Sequence, residues 1–507
     1  MVSSMLALGL TVLTLVAFSG LGLWHSRGRV GSVEDLITAR DSVGPRRLTA
    51  TLLASVMGVW ILLSAPEAGA SFGIAAVVGY AIGEALPMLA YAKIGPRVRE
   101  VIPDGHSLTE YAHARYGAAM YAFVLLVSAL YMFVFLAAEL TGISRALALI
   151  AEVPQWQTAV LVGGFVLLYT GYGGLRASIF TDTIQAIIVL PLVVLAAAGA
   201  ILALGGPGAV YTGIASTNPT LLDPGFWPGL QFGLALAFAI LGAELINQTW
   251  WQRIYAGADD ETVRRGFLRA AIGNGLIILV AALFGVIAAG HTNVVTDPAS
   301  AGYNADVSFF LLLGETFPEW LVLVVVLLAL LLVMSSVDTL FNALSSLVTA
   351  DLPRLLEEPT DRTLALGSRV FTVAVAIAAI YVSLEARSVL RLFFLADLLG
   401  AAVAFPLIYG LFSRRLTGPG ALVSSLAGLA FGLAYFPDLR EYITAIPIVG
   451  DALPVADPFY LTSFGGAFLI STLLTLSASR LSRSTFDHDG LSETVRRLDD
   501  GSGERAD

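Results

Sequence analysis

The sequence predicts an all-α polytopic membrane protein, and three observations support this fold class. Hydrophobic residues make up 57% of the 507 residues, and only 13% of the residues are charged. A soluble globular chain carries roughly 25% charged residues. Many uncharged stretches are longer than the roughly 20 residues that cross a bilayer as a helix, and none shows the alternation that is typical of outer-membrane strands.

Apolar stretches that are long enough to span a membrane recur along the whole chain. We predict thirteen spans, at about residues 3–24, 48–72, 74–94, 118–144, 156–172, 181–204, 229–250, 270–290, 319–350, 364–386, 388–412, 418–437 and 458–479. The first stretch lacks the basic region and cleavage site of a signal peptide, so we interpret it as a retained span. The odd number of spans places the two termini on opposite sides.

The distribution of Lys and Arg predicts which side is which. One set of alternating segments and adjacent span ends carries 24 of the 28 basic residues, and an excess of basic residues marks the cytoplasmic side. We therefore expect a multi-pass protein of the cell membrane with its N-terminus outside and its C-terminus in the cytoplasm. Residues 1–479 are predicted to form a single transmembrane domain, and residues 480–507 a disordered cytoplasmic tail.

Composition argues against several classes of function. The basic residues are dispersed rather than clustered, so no nucleic-acid partner is expected. The chain has no cysteine, which excludes disulfides and thiolate metal sites. All five histidines lie in predicted loops or in the tail, where they cannot pair with an acid at mid-membrane depth, so an embedded enzyme is disfavoured. A passive channel is a further alternative, but the sequence shows no repeated filter segment.

The span at 319–350 carries a broad polar face. After the apolar run Leu321–Met334 come Ser335, Ser336, Asp338, Thr339, Asn342, Ser345, Ser346 and Thr349. Their spacing is helical, so they share one face. A carboxylate at membrane depth is costly unless it faces the interior of a bundle or a wet cavity. The face predicts a cation and substrate pathway, with hydrogen bonding between helices as the alternative.

Further carboxylates lie within the predicted spans or at their ends: Glu67, Glu84, Glu139, Asp182, Glu244 and Asp397. No Lys or Arg is predicted at mid-span to neutralise them. Acids without such partners indicate cations or a polar, hydrogen-bonding cargo.

Two of these acids lie where a helix is expected to break. Pro66 and small residues in Leu62–Gly69 interrupt the second span beside Glu67, and Gly242 precedes Glu244 in the seventh. Interrupted helices at equivalent places in two inverted repeats form the binding sites of many transporters. The substrate candidates are Glu67, Glu84, Asn247, Gln248 and Trp250, with Trp60 and Tyr80 as stacking or gating groups.

Three motifs resemble signatures of the sodium:solute symporter family. The segment Tyr172–Gln185 places Gly173-Gly174 before Thr181-Asp182. Ser335–Thr339 resembles a second signature, and Asn247–Arg253 a third. The motifs occur in the family's order, and the resemblance covers most of residues 33–440.

The resemblance implies a leucine-transporter-like fold of two inverted five-helix repeats, here about 48–204 and 229–412, with sodium-driven alternating access. Sodium is the expected coupling ion, and no organic cofactor is implied. The implied sodium ligands are the carbonyls of Ala54, Met57 and Leu332 and the hydroxyls of Ser335 and Ser336. Asp182 would assist sodium release. Asp338 would tune the sodium site or cap a hydrogen-bond network with the helix of Asp182.

The implied solute is small and polar, either neutral or cationic. Val56 stands where the proline permeases carry an acid, and the eighth span lacks the Lys of the sugar transporters. Segments such as Ala114–Gly117 resemble the urea-transporting branch of the family. Proton coupling through Asp182, Glu84 or Asp338 remains the alternative. Besides the solute and sodium, membrane lipid is the only expected partner.

Overall fold

The structure, a computed structural model, describes residues 2–27, 37–355, 361–386, 388–446, 453–457 and 459–495. Within these ranges the chain is helical, apart from loops and one isolated bridge between Val43 and Gly257. Eleven helices of the described part are long and apolar enough to cross a membrane.

The first half of the chain contains α1 (Ser4–Ser26), α2 (Pro45–Val56), α3 (Ser64–Val101), α4 (Leu108–Tyr116), α5 (Ala118–Ala151), α6 (Gln155–Ala203) and α7 (Pro207–Thr217). The second half contains α8 (Trp227–Leu245), α9 (Gln248–Ala256), α10 (Asp260–His291), α11 (Ser308–Thr316), α12 (Glu319–Leu355), α13 (Asp361–Glu385), α14 (Val389–Tyr409), α15 (Gly418–Tyr435), α16 (Pro437–Thr444), α17 (Phe459–Leu481) and α18 (Leu491–Thr494). Short 3-10 turns lie at Val59–Leu62, Pro219–Leu222 and Ala305–Val307.

Helix α3 reverses direction at Gly73. The backbone of Gly73 has φ 68° and ψ −164°, a conformation that glycine adopts at little cost. The hydroxyls of Ser64 and Tyr80 lie 3.0 Å apart, although 16 residues of continuous helix would separate them by about 24 Å. The two halves of α3 therefore run antiparallel, as separate spans.

A second reversal lies at Gly174 in α6, where φ is 57° and ψ is −162°. Thr170 donates to Asp338 on α12 at 2.8 Å, and Asp182 accepts from Ser335, one turn away on the same helix, at 2.6 Å. In a continuous helix Thr170 and Asp182 would be about 18 Å apart. When α3 and α6 are each divided at their reversal, every predicted span coincides with a helical segment. The number of membrane crossings stays a prediction.

The second predicted span is interrupted, and the unwound residues 57–63 overlap the predicted segment Leu62–Gly69 at its first two residues. Helix α2 ends at Val56, the 3-10 turn follows after Gly58, and α3 begins at Ser64. Pro66 lies in the first turn of α3, where its missing N–H leaves no hydrogen bond unmade. The proline therefore starts the second half of the helix, and the chain unwinds just before it.

The second interruption falls where the sequence predicts it. Helix α8 ends at Leu245 and α9 begins at Gln248. The side-chain oxygen of Asn247 accepts from the Thr249 N–H at 3.0 Å and caps α9, as an asparagine N-cap does.

Part of the tail that we expected to be disordered packs against the bundle. The Phe486 N–H donates to the Arg414 carbonyl at 2.6 Å, and His488 Nε2 lies 2.8 Å from the Gly410 carbonyl. The Arg115 guanidinium lies over the Phe486 ring. Burial, together with Arg115 and other nearby arginines, lowers the pKa of His488. The expectation was wrong for 482–495 because their partners are distant in sequence. Residues 496–507 lie outside the described residues.

Candidate functional site

A small cavity lies in the bundle between the two interrupted helices. Its volume is about 20 Å³, enough for about one water molecule. Eleven residues line it: Trp60, Tyr80, Glu84, Tyr131, Phe135, Leu236, Ile240, Glu244, Leu390, Phe393 and Asp397. Three of these side chains are carboxylates and five are aromatic. Among the described residues that form the wall, none carries positive charge.

Glu244 is held in the cavity wall by three neutral donors. The Tyr131 hydroxyl donates to Oε1 at 2.6 Å, and Asn247 Nδ2 and Trp250 Nε1 donate to Oε2 at 3.1 and 2.5 Å. Because α8 ends just after Glu244, the first residues of α9 can reach back to it. The predicted substrate residues Asn247 and Trp250 therefore position Glu244 and do not line the cavity.

The other two carboxylates have fewer partners. The Asn274 amide donates to the Glu84 carbonyl at 2.8 Å and to its Oε2 at 3.3 Å. Asp397 is only 6% exposed, and among the described residues its carboxylate has no hydrogen bond or ion pair. A buried carboxylate without a partner is costly, so Asp397 is a polar group that faces the cavity unsatisfied.

The aromatic side chains surround the acids. The Trp60 ring lies 6.2 Å from the Tyr80 ring and 5.8 Å from the Phe393 ring, between ring centres. Phe135 packs edge-on against both Trp60 and Phe393. Aromatic faces attract cations, so the wall combines two kinds of group that bind positive charge. The predicted residues Trp60, Tyr80 and Glu84 all belong to it.

Two of the predicted sodium ligands, Ala54 and Ser335, meet beside the break after α2. The Gly58 N–H bonds to the Val56 carbonyl, which leaves the Ala54 carbonyl to accept from the Ser335 hydroxyl at 3.0 Å. The Ser336 hydroxyl lies 3.2 Å from the Leu332 carbonyl on its own helix. Met57 follows the last residue of α2 in the same break and is buried.

Asp182 lies next to this group, at the centre of a buried polar network. It accepts from Thr51 at 2.6 Å, from Ser335 at 2.6 Å and from Ser55 at 3.3 Å. Arg253 Nη2 lies 3.4 Å from the Asp182 carboxylate and is fully buried. The expectation that no basic residue would reach an intramembrane acid is wrong here, because α9 turns back into the bundle after its break.

Asp338 lies one helical turn from Ser335 and belongs to a different set of contacts. It accepts from Thr170 at 2.8 Å and from Asn342 at 2.9 Å. Thr170 lies on the half of α6 that precedes the reversal at Gly174. The contact therefore joins Asp338 to the span before the helix of Asp182, and the predicted network with the helix of Asp182 stays a prediction.

Two predicted substrate residues lie away from the cavity. Gln248 accepts from the Leu108 N–H and donates to the His106 carbonyl, both at 2.9 Å. Glu67 accepts from Ser388 at 3.1 Å and from Tyr303. Gln248 thus joins α9 to the start of α4, and Glu67 joins α3 to α14 and the loop before α11.

Glu139 caps the unwound turn after α2. Its Oε2 accepts from the Val59 N–H at 2.9 Å. A Cβ at Gly58 would collide with the same carboxylate, so glycine is required for this close approach. The acid in the fifth helix therefore replaces the helical hydrogen bonds that the break removes.

Sequence reasoning named Glu244 and Asp397 only as intramembrane acids and missed Tyr131, Phe135 and Phe393. The two acids carried a usable signal, since each is a carboxylate in an otherwise apolar span. The aromatic residues carried none, because bundle-facing and lipid-facing aromatics look alike in a hydrophobic sequence.

A helical membrane bundle with two interrupted helices beside a buried polar cavity defines a secondary transporter. The family model described as the sodium:solute symporter family matches residues 36–428, and the chain belongs to this family. The chain is therefore a sodium-coupled symporter that moves a solute by alternating access.

Two curated relatives align with most of the chain. The spermidine transporter of Candida albicans is 25% identical over 470 residues, which cover 89% of this chain and 85% of the relative. The sodium/glucose cotransporter of Vibrio parahaemolyticus is 22% identical over 96% of this chain and 94% of the relative.

Solved structures confirm the leucine-transporter-like fold. A Na⁺-coupled sialic acid symporter in a substrate-bound outward-open state matches with a TM-score of 0.75 at 18% identity, over 94% of this chain and 98% of that chain. Mhp1, a nucleobase-cation-symport-1 family transporter, matches with a TM-score of 0.53 at 16% identity, over 90% and 98% of the two chains.

Proposed function

We propose that this symporter imports a small organic cation that carries amine groups. The observation that carries the proposal is the cavity wall of three carboxylates and five aromatic side chains without a basic residue. An ammonium group would pair with Asp397, the one cavity carboxylate to which the described residues give no partner. The aromatic faces would add about 0.5–2 kcal/mol per favourable cation–π contact.

An amine compensates the charge of the cavity carboxylates, whereas a neutral solute does not. A neutral sugar would leave the buried carboxylates uncompensated, which is costly in a low-dielectric interior. Within the described part of the chain, no three His, Asp or Glu side chains converge closely enough to hold a metal ion. The similarity to a spermidine transporter supports the same class of solute.

The coupling site in this proposal is the group of oxygens beside α2. The carbonyls of Ala54, Met57 and Leu332 and the hydroxyls of Ser335 and Ser336 would bind sodium. Asp182 would draw the ion toward the cytoplasm, with Arg253 as a counter-charge that limits how tightly it is held. The repeats would be 48–204 and 229–412, within the domain 1–479, with the N-terminus outside.

A second candidate is an amine symporter of the same fold that is driven by protons. The Asp397 carboxylate favours it, because acids that face a cavity at membrane depth often form proton pathways in transporters. Glu84, Asp182 and Asp338 would be its other proton carriers. The two candidates differ in which gradient drives uptake.

The test is uptake of labelled spermidine into proteoliposomes with an imposed sodium or proton gradient. We expect a sodium gradient to drive uptake, with unlabelled diamines and triamines as competitors and glucose, proline and urea without effect. Asp397→Asn should reduce uptake at least tenfold, and Glu315→Gln, on an exposed acid of α11, should not. Glucose or urea uptake without amine uptake would refute the proposal. Uptake driven by a proton gradient alone would select the second candidate.

A further inference from the structure

We propose that Glu67 is a second ammonium subsite, which makes the binding site selective for the length of an elongated polyamine. The inference rests on the proposed amine transport and adds a specificity-determining residue. It places one end of the solute among Glu84, Glu244 and Asp397 and the other end at Glu67.

The hairpin of α3 gives the spacing of the two subsites. The Ser64 and Tyr80 hydroxyls face each other at 3.0 Å, which fixes the register of the two antiparallel halves. Glu67 lies three residues from Ser64 toward the reversal, and Glu84 lies four residues from Tyr80 away from it. At 1.5 Å per residue the two carboxylates are offset along the hairpin by about 10 Å.

Helix α14 gives the corresponding distance from Glu67 to Asp397, the third acid of the cavity. Ser388, its N-cap, donates to the Glu67 carboxylate at 3.1 Å. Asp397 lies nine residues further along, or about 13 Å by helical rise. Leu390 and Phe393 lie between them and line the cavity, so the helix connects the two ends by an apolar and aromatic wall.

Tyr80 lies between the two ends. It lines the cavity with Glu84 and Asp397, its hydroxyl faces that of Ser64, three residues from Glu67, and its ring packs against Trp60. A polyamine chain that runs past Trp60 and Tyr80 would therefore contact aromatic surface along its methylene groups and a carboxylate at each end.

Glu67 is a buried carboxylate whose partners in the described structure are neutral hydroxyl groups, so an ammonium group could take the place of one of them. Its side chain is buried, and the partners that the structure gives it are the Ser388 and Tyr303 hydroxyls. The nearby Arg145 is paired with Asp306 at 2.8 Å. An arriving ammonium group would replace the Tyr303 hydroxyl, which lies on the loop between α10 and α11 and can move without unpacking a helix.

The spacing selects a chain length. An extended chain gains about 1.2 Å per bond, by the same geometry that gives about 3.6 Å per residue. A separation of about 10–13 Å therefore needs about nine bonds between the terminal nitrogens. An aminopropyl-aminobutyl triamine and 1,8-diaminooctane both have this length, whereas 1,4-diaminobutane reaches about half of it.

The test measures competition by diaminoalkanes of four to ten carbons against labelled spermidine, with the full-length protein in proteoliposomes. We expect affinity to peak near eight carbons, about tenfold above the four-carbon compound. Glu67→Gln should remove the peak and leave 1,4-diaminobutane within about twofold. Glu67→Asp should keep a peak and move it to a longer diamine, because its carboxylate is withdrawn by one methylene. Glu315→Gln, an exposed acid of α11, is the control.

Three results would overturn the inference. One is an affinity that rises steadily with length in both the wild type and Glu67→Gln, which would indicate hydrophobicity alone. Another is a Glu67→Gln variant that weakens all amines equally, which would indicate a structural role. The third, no competition by any amine of any length, would refute the proposed amine transport as well, and only this result affects both.

Discussion

At the scale of single residues, Ser335 and Ser336 are neighbours in sequence with different partners. Ser335 reaches across to the Ala54 carbonyl and the Asp182 carboxylate. Ser336 reaches back to the Leu332 and Val333 carbonyls of α12 at 3.2 Å. The Ser335 hydroxyl thus joins α12 to the break after α2 and to Asp182, whereas the Ser336 hydroxyl contacts the backbone of α12 itself. Of the two, Ser336 can be changed with less effect on packing between helices.

Replacement of Ser336 by Ala should weaken the dependence of uptake on sodium. Loss of one hydroxyl ligand should raise the sodium concentration for half-maximal uptake about tenfold, with an unchanged melting temperature and yield. Ser425→Ala is the matched control, because its buried hydroxyl also donates to its own helix, to Ala421 at 2.9 Å, but on α15. An unaltered sodium dependence in Ser336→Ala would remove this residue from the site.

At the scale of elements, the loop between α10 and α11 closes over the end of the bundle that we predict to be outside. Tyr303 donates to Glu67, and Asp306 pairs with Arg145 of α5. Burial raises the pKa of Asp306 to about 6, although the Arg145 guanidinium opposes the shift. Two polar contacts thus hold the loop. One of them includes the Asp306 carboxyl, which changes its charge in mildly acidic conditions.

The raised pKa of Asp306 predicts a dependence of stability on pH. A carboxyl whose pKa is higher in the folded than in the unfolded state stabilises the fold in its protonated form. The stabilisation is complete below about pH 4 and is lost as pH rises through about 6. The melting temperature of the wild type, relative to Asp306→Asn, should fall between these values and then level off.

Thermal unfolding of the purified protein from pH 4 to pH 8 provides the measurement. Asp297→Asn, at an exposed acid of the same loop, is the control for the loss of one surface charge. A difference between wild type and Asp306→Asn that rises with pH would contradict the prediction, since it would mean that the ionised Asp306 stabilises the fold.

At the scale of the whole molecule, the two reversals and two interruptions place residues from distant spans around one cavity. Trp60 belongs to the first interruption, and Glu244 to the second. Tyr131 comes from α5, and Asp397 from α14. Because the cavity holds about one water molecule, a solute as large as the proposed polyamine can enter only when the surrounding helices separate. This requirement is consistent with alternating access.

The orientation of the molecule can be tested by labelling, because the chain has no cysteine. We expect Ala299→Cys, exposed in the loop between α10 and α11, to react with an impermeant maleimide in intact cells. Ala258→Cys, exposed in the loop between α9 and α10, should react only in inside-out vesicles. Both exchange an exposed alanine for cysteine, so each controls for the other. The reverse labelling pattern would invert the predicted topology.

The sequence predicted the helical class, the spans and the family, because these depend on local composition and on short motifs. A long apolar run forms a helix in a bilayer regardless of which segments pack beside it, because its backbone must satisfy its own hydrogen bonds. The signature around Ser335 and Ser336 indicated a sodium site, and Ser335 contacts Ala54 beside the break. The break was predicted within Leu62–Gly69 and begins earlier, at Met57, because the Glu139 carboxylate of another helix satisfies the unwound backbone.

Only the tertiary structure decided what the acids do. Within single spans, Glu67, Glu84, Glu244 and Asp397 look equivalent in sequence, since each is a carboxylate in an apolar segment. Packing surrounds three of them with aromatic rings at one cavity and gives the fourth, Glu67, hydroxyl partners from α14 and from the loop between α10 and α11. It also brings Arg253 to Asp182. Charge compensation depends on distances between residues far apart in the chain, and these distances exist only after the helices have packed.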